Sequence, residues 1–298
     1  MKIVLGADLA MAAGDSPAVG LLKRLRFVDA QTDVMHVVPP PVYTGWEYDP
    51  VIAPSVLAEI AQRDRDSANE ALEKIVAEVG SGLGAKAVVA TGNPTERLMA
   101  HADESHADLL VINGTVAGPL VAFLTGSVAR GLVIGAHQSV LLARGKADPL
   151  RPLRAVLATD HSPYSERCIT RLTQLWPQGI QHITVLTSYP EDRIRAMEPM
   201  LPQMGVEPVE AVKETLETKN NALIQKLSGC FHPMLTTFES RVSALGVHEA
   251  ITTAMKETDA DLLILGAHGH SFLERLTLGS VSFRESVFAP YSVLVVRA

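Results

Sequence analysis

Cysteine is scarce: Cys168 and Cys230 are the only two in 298 residues, they lie 62 positions apart, and no C-x-x-C occurs. A disulfide framework and a zinc knuckle are therefore excluded, and the expected compartment is a reducing cytoplasm. Basic charge is also short. Lys and Arg number 26 against 33 Asp and Glu, a net charge of −7, and no Lys/Arg run is present. A general nucleic-acid binder would carry a basic face, so no nucleic-acid partner is expected. The opening MKIVLGADLA is too short an apolar run for a signal peptide and reads as a first buried strand. One uncharged stretch, Leu109–Ala129, has the 21 residues needed to cross a bilayer. Asn113, Gly114, Gly118 and Pro119 would break such a helix, and the equivalent later stretch carries Glu274 and Arg275, so no membrane span is expected. Two catalytic signatures are missing, the G-x-x-x-x-G-K-[ST] phosphate loop and the G-x-S-x-G nucleophile elbow.

Core material is plentiful. Hydrophobic residues make up 47% of the chain and charged residues 20%, a globular profile with enough length for two ordinary domains. The chain is written twice. Ala107–Arg144 aligns without a gap on Ala260–Arg297 at an offset of 153, with 13 identities in 38 positions. KIVLGAD (Lys2–Asp8) matches RAVLATD (Arg154–Asp160). A repeat this long is domain-sized. Two homologous domains are expected, residues 1–146 and 151–298, meeting at the polar, proline-containing Gly145–Pro149.

Each half alternates apolar strands with helical periodicity. In the first, the strands are IVLGA, Asp33–Val38, Ala87–Ala90, Leu109–Ile112 and Ser139–Ala143, with helices near Pro17–Phe27, Pro54–Val79 and from Pro94. The second half repeats the pattern, with a helix near Val209–Leu227 after a Met- and Pro-rich excursion that reads more readily as core than as an adaptable surface. Trp46 and Tyr48 occupy the matching excursion of the first half. Near-continuous apolar strands alternating with helices predict α/β architecture: two doubly wound parallel five-stranded sheets. Ligands of such sheets sit beyond the carboxyl ends of the strands. Asp160, Ser188 and the loop after Leu265 fall there.

That loop is glycine-punctuated: Gly266-x-x-Gly269, nine residues, then Gly279-Ser280. Glycine tolerates positive φ and lets main-chain N–H groups approach a ligand, successive N–H groups make an anion-binding nest, and a helix opening at Gly279-Ser280 would offer free N–H groups to phosphate. Asp160 could accept from an adenine amino group or a ribose hydroxyl. An isolated G-x-x-G more often only turns the chain. Here the loop follows a strand, and a Gly-Ser helix start follows at a fixed distance.

With these parts in place, the chain resembles the universal stress protein family along its whole length. The resemblance implies a tandem member of that fold, docked as an internal pseudo-dimer through its apolar last strands, with homodimerisation open. In ATP-binding relatives the loop glycines and the final Gly-Ser hold ribose and phosphates. It thus implies an adenine-nucleotide site at Gly266, Gly269, Gly279, Ser280 and Val281, with Asp160 near the nucleoside and the main chain of Ser188, where the family often has Val, on adenine. His268 and His270 flank Gly269 and read as phosphate contacts in preference to zinc ligands; any Mg²⁺ would ride mainly on the ATP phosphates. The first half departs. Asn113 and Val116 stand at the positions of Gly266 and Gly269, so this half is expected to be empty or weak. Asp160-His161-Ser162 is no catalytic triad, because adjacent residues cannot point at one another in relay; Ser162 before Pro163 reads as a helix cap. The leading expectation is an ATP-binding stress-response regulator without fast catalysis. An interaction module of the same fold that binds no nucleotide and an enzyme acting on an adenylated substrate stay open.

Overall fold

The computed structural model describes residues 1–14, 16–39, 54–114, 126–145, 148, 150–175, 177–197, 208–231, 235–268 and 278–298. The first half contains β1 (Lys2–Gly6), a 3-10 turn (Leu9–Ala13), α1 (Pro17–Leu25), β2 (Gln31–Val38), α2 (Pro54–Val79), β3 (Ala85–Thr91), α3 (Pro94–Glu104), β4 (Leu109–Asn113), α4 (Ser127–Gly135) and β5 (Ser139–Ala143). The second contains β6 (Leu153–Ala158), α5 (Pro163–Leu175), β7 (Ile180–Ser188), α6 (Glu191–Met197), α7 (Pro208–Ser228), β8 (Thr237–Ser243), α8 (Val247–Glu257), β9 (Leu262–Gly266), α9 (Ser280–Phe288) and β10 (Ser292–Val296). The Met- and Pro-rich 198–207, Trp46, Tyr48 and much of the Gly145–Pro149 link fall outside the described residues.

The ten strands of the described residues form one sheet, ordered β3-β2-β1-β4-β5-β10-β9-β6-β7-β8. Each half is parallel, and the halves join through an antiparallel β5–β10 pair. Leu141 faces Leu294 across that seam, its own equivalent at the 153 offset, so a local two-fold axis passes through the pair. Burial explains the strand sequences. SVLLA and SVLVV are buried at every position because helices cover both sheet faces. One continuous apolar cluster lies under α1, α2, α5 and α7, the other under α3, α4, α8 and α9, and each cluster draws residues from both halves.

Polar contacts repeat about the axis. Arg144 donates to Ser286 O in the last turn of α9, and Arg297 donates to Val133 O in the last turn of α4 at 2.5 Å. Ser292 Oγ accepts from Arg144 N at 3.0 Å, and Ser139 Oγ from Arg297 N at 3.2 Å. Arg171 pairs with Asp108 at 2.7 Å and Arg24 with Asp261 at 3.0 Å, both across the two halves. Burial lowers both guanidiniums from their usual range, Arg144 to about 10, which still leaves it charged at neutral pH. Gly179 closes the contact between halves: its N–H donates to Leu25 O at 2.9 Å, and a Cβ there would lie 1.7 Å from Arg24 O.

Candidate functional site

Beyond β6, β7 and β9 the sheet opens into a cleft of about 670 Å³. It sits where the chain order reverses between β6 and β9, the place open α/β sheets reserve for ligands. Asp160, Ser188, Gly266, His268, Gly279, Ser280 and Val281 all line it. Gly269 and His270 lie outside the described residues.

Local chemistry fixes the β6–α5 turn. Asp160 Oδ1 accepts the Ser162 N–H at 3.0 Å and the Ser165 hydroxyl at 2.5 Å, while Ser162 Oγ accepts the Ser165 N–H at 3.2 Å and caps α5. His161 between them takes a positive φ of 53°, uncommon outside glycine. It is held from below. Asn220 is fully buried on α7 and donates to Val185 O and Arg241 O; its Oδ1 lies 2.8 Å from His161 Nε2. With the amide nitrogen so engaged, Oδ1 is the acceptor and His161 presents Nε2–H. Burial, above all, lowers the affinity of His161 for a second proton.

The glycines act differently from the expectation set by the loop pattern. Gly266 and Gly279 are not among the positive-φ residues. At Gly266 the constraint is proximity: a Cβ would lie 3.2 Å from Cys168 Sγ. Gly279 does open α9, at φ −61°, but its N–H is committed to Ala267 O at 2.7 Å and is not free for a phosphate. The first-turn amides of Ser280, Val281 and Ser282 lack intrahelical acceptors, no side chain caps the helix, and these residues line the cleft. The Ser282 hydroxyl ties α9 to Gly266 O at 2.6 Å. His268 meets the Tyr164 ring edge-on, centroids 4.9 Å apart. Burial pushes the neighbouring Cys168 thiol up to about 11 and the Tyr164 hydroxyl up to about 12, so neither is an anionic nucleophile at neutral pH.

Three residues of this region escaped the sequence reading. His248, at the start of α8, lines the cleft, and its Nδ1 lies 2.9 Å from Oε1 of Glu285 on α9; Oε2 accepts the Tyr291 hydroxyl at 2.8 Å. Glu285 is only 6% exposed. Burial, then the Glu285 charge, drives the Tyr291 hydroxyl far above its ordinary range. Local spacing gave no signal, because 37 residues separate His248 from Glu285. The helix carrying His248 also begins at a glycine, Gly246, with no side-chain cap.

The corresponding positions in the first half are built for structure. Asn113, in place of Gly266, accepts from the Ser16 hydroxyl at 3.3 Å and from the Ala18 N–H at 2.9 Å, so it caps α1. Six extra residues separate Asp8 from Ser16-Pro17, and the 3-10 turn within them buries Met11. Asn93 caps α3, accepting from the amides of Thr95 and Glu96. Thr95, Leu132 and Gln138 stand at the places of His248, Glu285 and Tyr291. Val116 and Gly118 lie outside the described residues. No helix among the described residues is long and apolar enough to cross a membrane, and no group of three His, Cys, Asp or Glu among them could hold a metal ion.

Fold and cleft together define a duplicated, doubly wound α/β protein with a switch-point pocket in its second half. The universal stress protein family model matches residues 2–144 and again 153–297. The chain therefore belongs to that family as a tandem member. It is similar along 99% of its length to a universal stress protein of Mycolicibacterium smegmatis, at 24% identity over 309 residues covering 96% of that protein. Two crystal structures share the fold: a universal stress protein from Archaeoglobus fulgidus (TM-score 0.58, 16% identity, 99% of this chain and 96% of that one) and a putative universal stress protein from Pseudomonas aeruginosa (TM-score 0.54, 12% identity, 99% and 92%).

Proposed function

We propose that the protein binds ATP, or a related adenine nucleotide, in the cleft of residues 151–298 and acts as a nucleotide-responsive stress regulator. Residues 1–146 serve as a structural partner with an empty or weak site. The observation that carries this reading is convergence: seven residues chosen for a nucleotide from sequence line one cleft, beside the uncapped first turn of α9. A volume of about 670 Å³ lies within the ~300–1,000 Å³ of ordinary small-molecule sites. Ser280, Val281 and Ser282 supply the amides for phosphate, and the helix dipole adds to them. Asp160 is oriented by Ser162 and Ser165 toward a hydroxyl or amine donor of the nucleoside, and Ser188 offers main chain. Any Mg²⁺ is carried mainly by the phosphates. Turnover is expected well below the ~1–10³ s⁻¹ of ordinary enzymes.

Titrating purified protein with ATP tests the reading, with Gly269→Val alongside, since the first half carries Val116 at that place. The variant is expected to lose at least about tenfold in affinity, roughly 1.4 kcal/mol. Unchanged affinity in the variant removes the loop from the account, and a wild type that neither binds ATP nor co-purifies with nucleotide leaves the fold as an interaction module.

A further inference from the structure

Glu285 is a buried carboxylate where the first half has a fully buried leucine, Leu132. Packing alone asks for leucine there, and a buried carboxylate is costly unless donors satisfy it. Two donors arrive together. Tyr291 takes the place of Gln138 and gives its hydroxyl to Oε2; His248 takes the place of Thr95 and sets Nδ1 against Oε1. Three coordinated differences, on three separate segments, seat one imidazole at the cleft wall.

An ionised carboxylate only accepts, so His248 must donate from Nδ1. That leaves Nε2 as the imidazole's other working atom; among the described residues nothing bonds to it. The side chain is 30% exposed, and His248 lines the cleft. The charges around it come from every neighbouring segment. Glu285 on α9 and Tyr291 before β10 lie behind the ring, with Arg144 of β5's end bonded to Tyr291 O. Glu249 on α8 itself, Asp160 after β6 and His268 after β9 line the cleft. No Lys or Arg lines it among the described residues, and two of its side chains are acidic. Among the described residues, a polyanion placed there meets positive charge from helix amides and from imidazoles that take up a proton.

We propose that His248, seated by Glu285 and Tyr291, is a ligand contact of this cleft that, as an imidazolium, donates Nε2–H to a phosphoryl oxygen, so that nucleotide binding takes up a proton and tightens as pH falls. This rests on the nucleotide reading above. Neutral His248 turns a lone pair toward the phosphoryl oxygen and repels it. The protonated ring adds a charge-assisted bond. Linkage is reciprocal: if protonation favours ATP, ATP favours protonation.

The experiment is calorimetric titration of the full chain with ATP at pH 8 and pH 6, in two buffers of different ionisation heat, for wild type, His248→Gln, Glu285→Gln and His268→Gln. Protonation of ATP itself is common to all four and cancels. Wild type is expected to gain about three- to tenfold more affinity than His248→Gln on going from pH 8 to pH 6, and to take up protons that the variant does not. Glu285→Gln, which keeps the shape and removes the charge, should lose most of the linkage, and His268→Gln should lose less of it than His248→Gln. Superimposable wild-type and His248→Gln curves overturn the proposal while leaving the nucleotide reading intact. Linkage abolished in His268→Gln but retained in His248→Gln also overturns it. No ATP binding by wild type at either pH removes both. Should His248→Gln not fold, NMR titration of the wild-type imidazole signals with and without ATP decides: a His248 titration unmoved by ATP overturns the proposal.

Discussion

At the scale of single residues, the β6–α5 turn shows how a binding loop is held by a buried polar anchor. His161 takes a positive φ because Asn220 and Thr187 hold its ring from below: Thr187 Oγ1 lies 3.2 Å from His161 Nε2 and donates to Asn220 Oδ1 at 2.8 Å. Charging that ring would add a proton to a half-buried group whose partners are neutral. Its folded-state pKa lies below the ordinary imidazole value of about 6.5. A lowered histidine pKa contributes stability that is present above the unfolded value and is lost as pH falls through it toward the folded one. Urea unfolding at pH 7.5 and pH 5.5 is expected to show the wild type losing stability at the lower pH. His161→Asn, which titrates nowhere in this window and tolerates positive φ, should lose less; equal losses in the two proteins would remove His161 from the pH response.

At the scale of elements, helix starts separate the two halves. Asn93 spends its side chain on the first turn of α3, whereas α8 begins at Gly246 with its first turn open to the cleft. A Cβ at Gly246 meets nothing within 4 Å and its φ is −58°, so Gly246→Asn can form the missing cap without strain. The variant should gain a few tenths of a kcal/mol, about 0.3, in thermal unfolding, and bind ATP more weakly, because the new side chain occupies the α8 amides at the cleft wall. A gain in stability with unchanged affinity would place the ligand away from α8. The same elements show what the sequence could disclose. The Pro54–Val79 helix was legible to the residue, since proline marks its start and apolar residues recur at helical spacing. Strand β2 begins two residues earlier than the apolar run, because Gln31 and Thr32 pair through main chain, which leaves no hydropathy signal. The 3-10 turn at Leu9–Ala13 is too short for any period. Gly266 and Gly279 line the cleft, and their roles, close approach at Gly266 and an internal hydrogen bond at Gly279, depend on Cys168 and Ala267, whose positions only the tertiary fold supplies.

At the scale of the whole molecule, duplication has produced one body from two copies. Each cluster of core residues crosses the seam, and the β5–β10 pair abolishes two sheet edges that would otherwise invite association. The seam is also stitched by charge. Arg144 reaches the C-terminal carbonyls of α9, and Arg297 those of α4, each from the opposite half, where the negative end of the helix dipole favours a cation. A hydrogen bond from a charged donor is worth about 1.5–3 kcal/mol, more than a neutral one. Removing both guanidiniums while keeping unbranched apolar stems, as in Arg144→Met with Arg297→Met, should therefore weaken the coupling between halves more than it weakens either half. Wild type is expected to unfold in one calorimetric transition and the double variant in two, the lower one responding to ATP only if the second half melts first. Persistence of a single transition would mean that the shared sheet and cores couple the halves without the arginines.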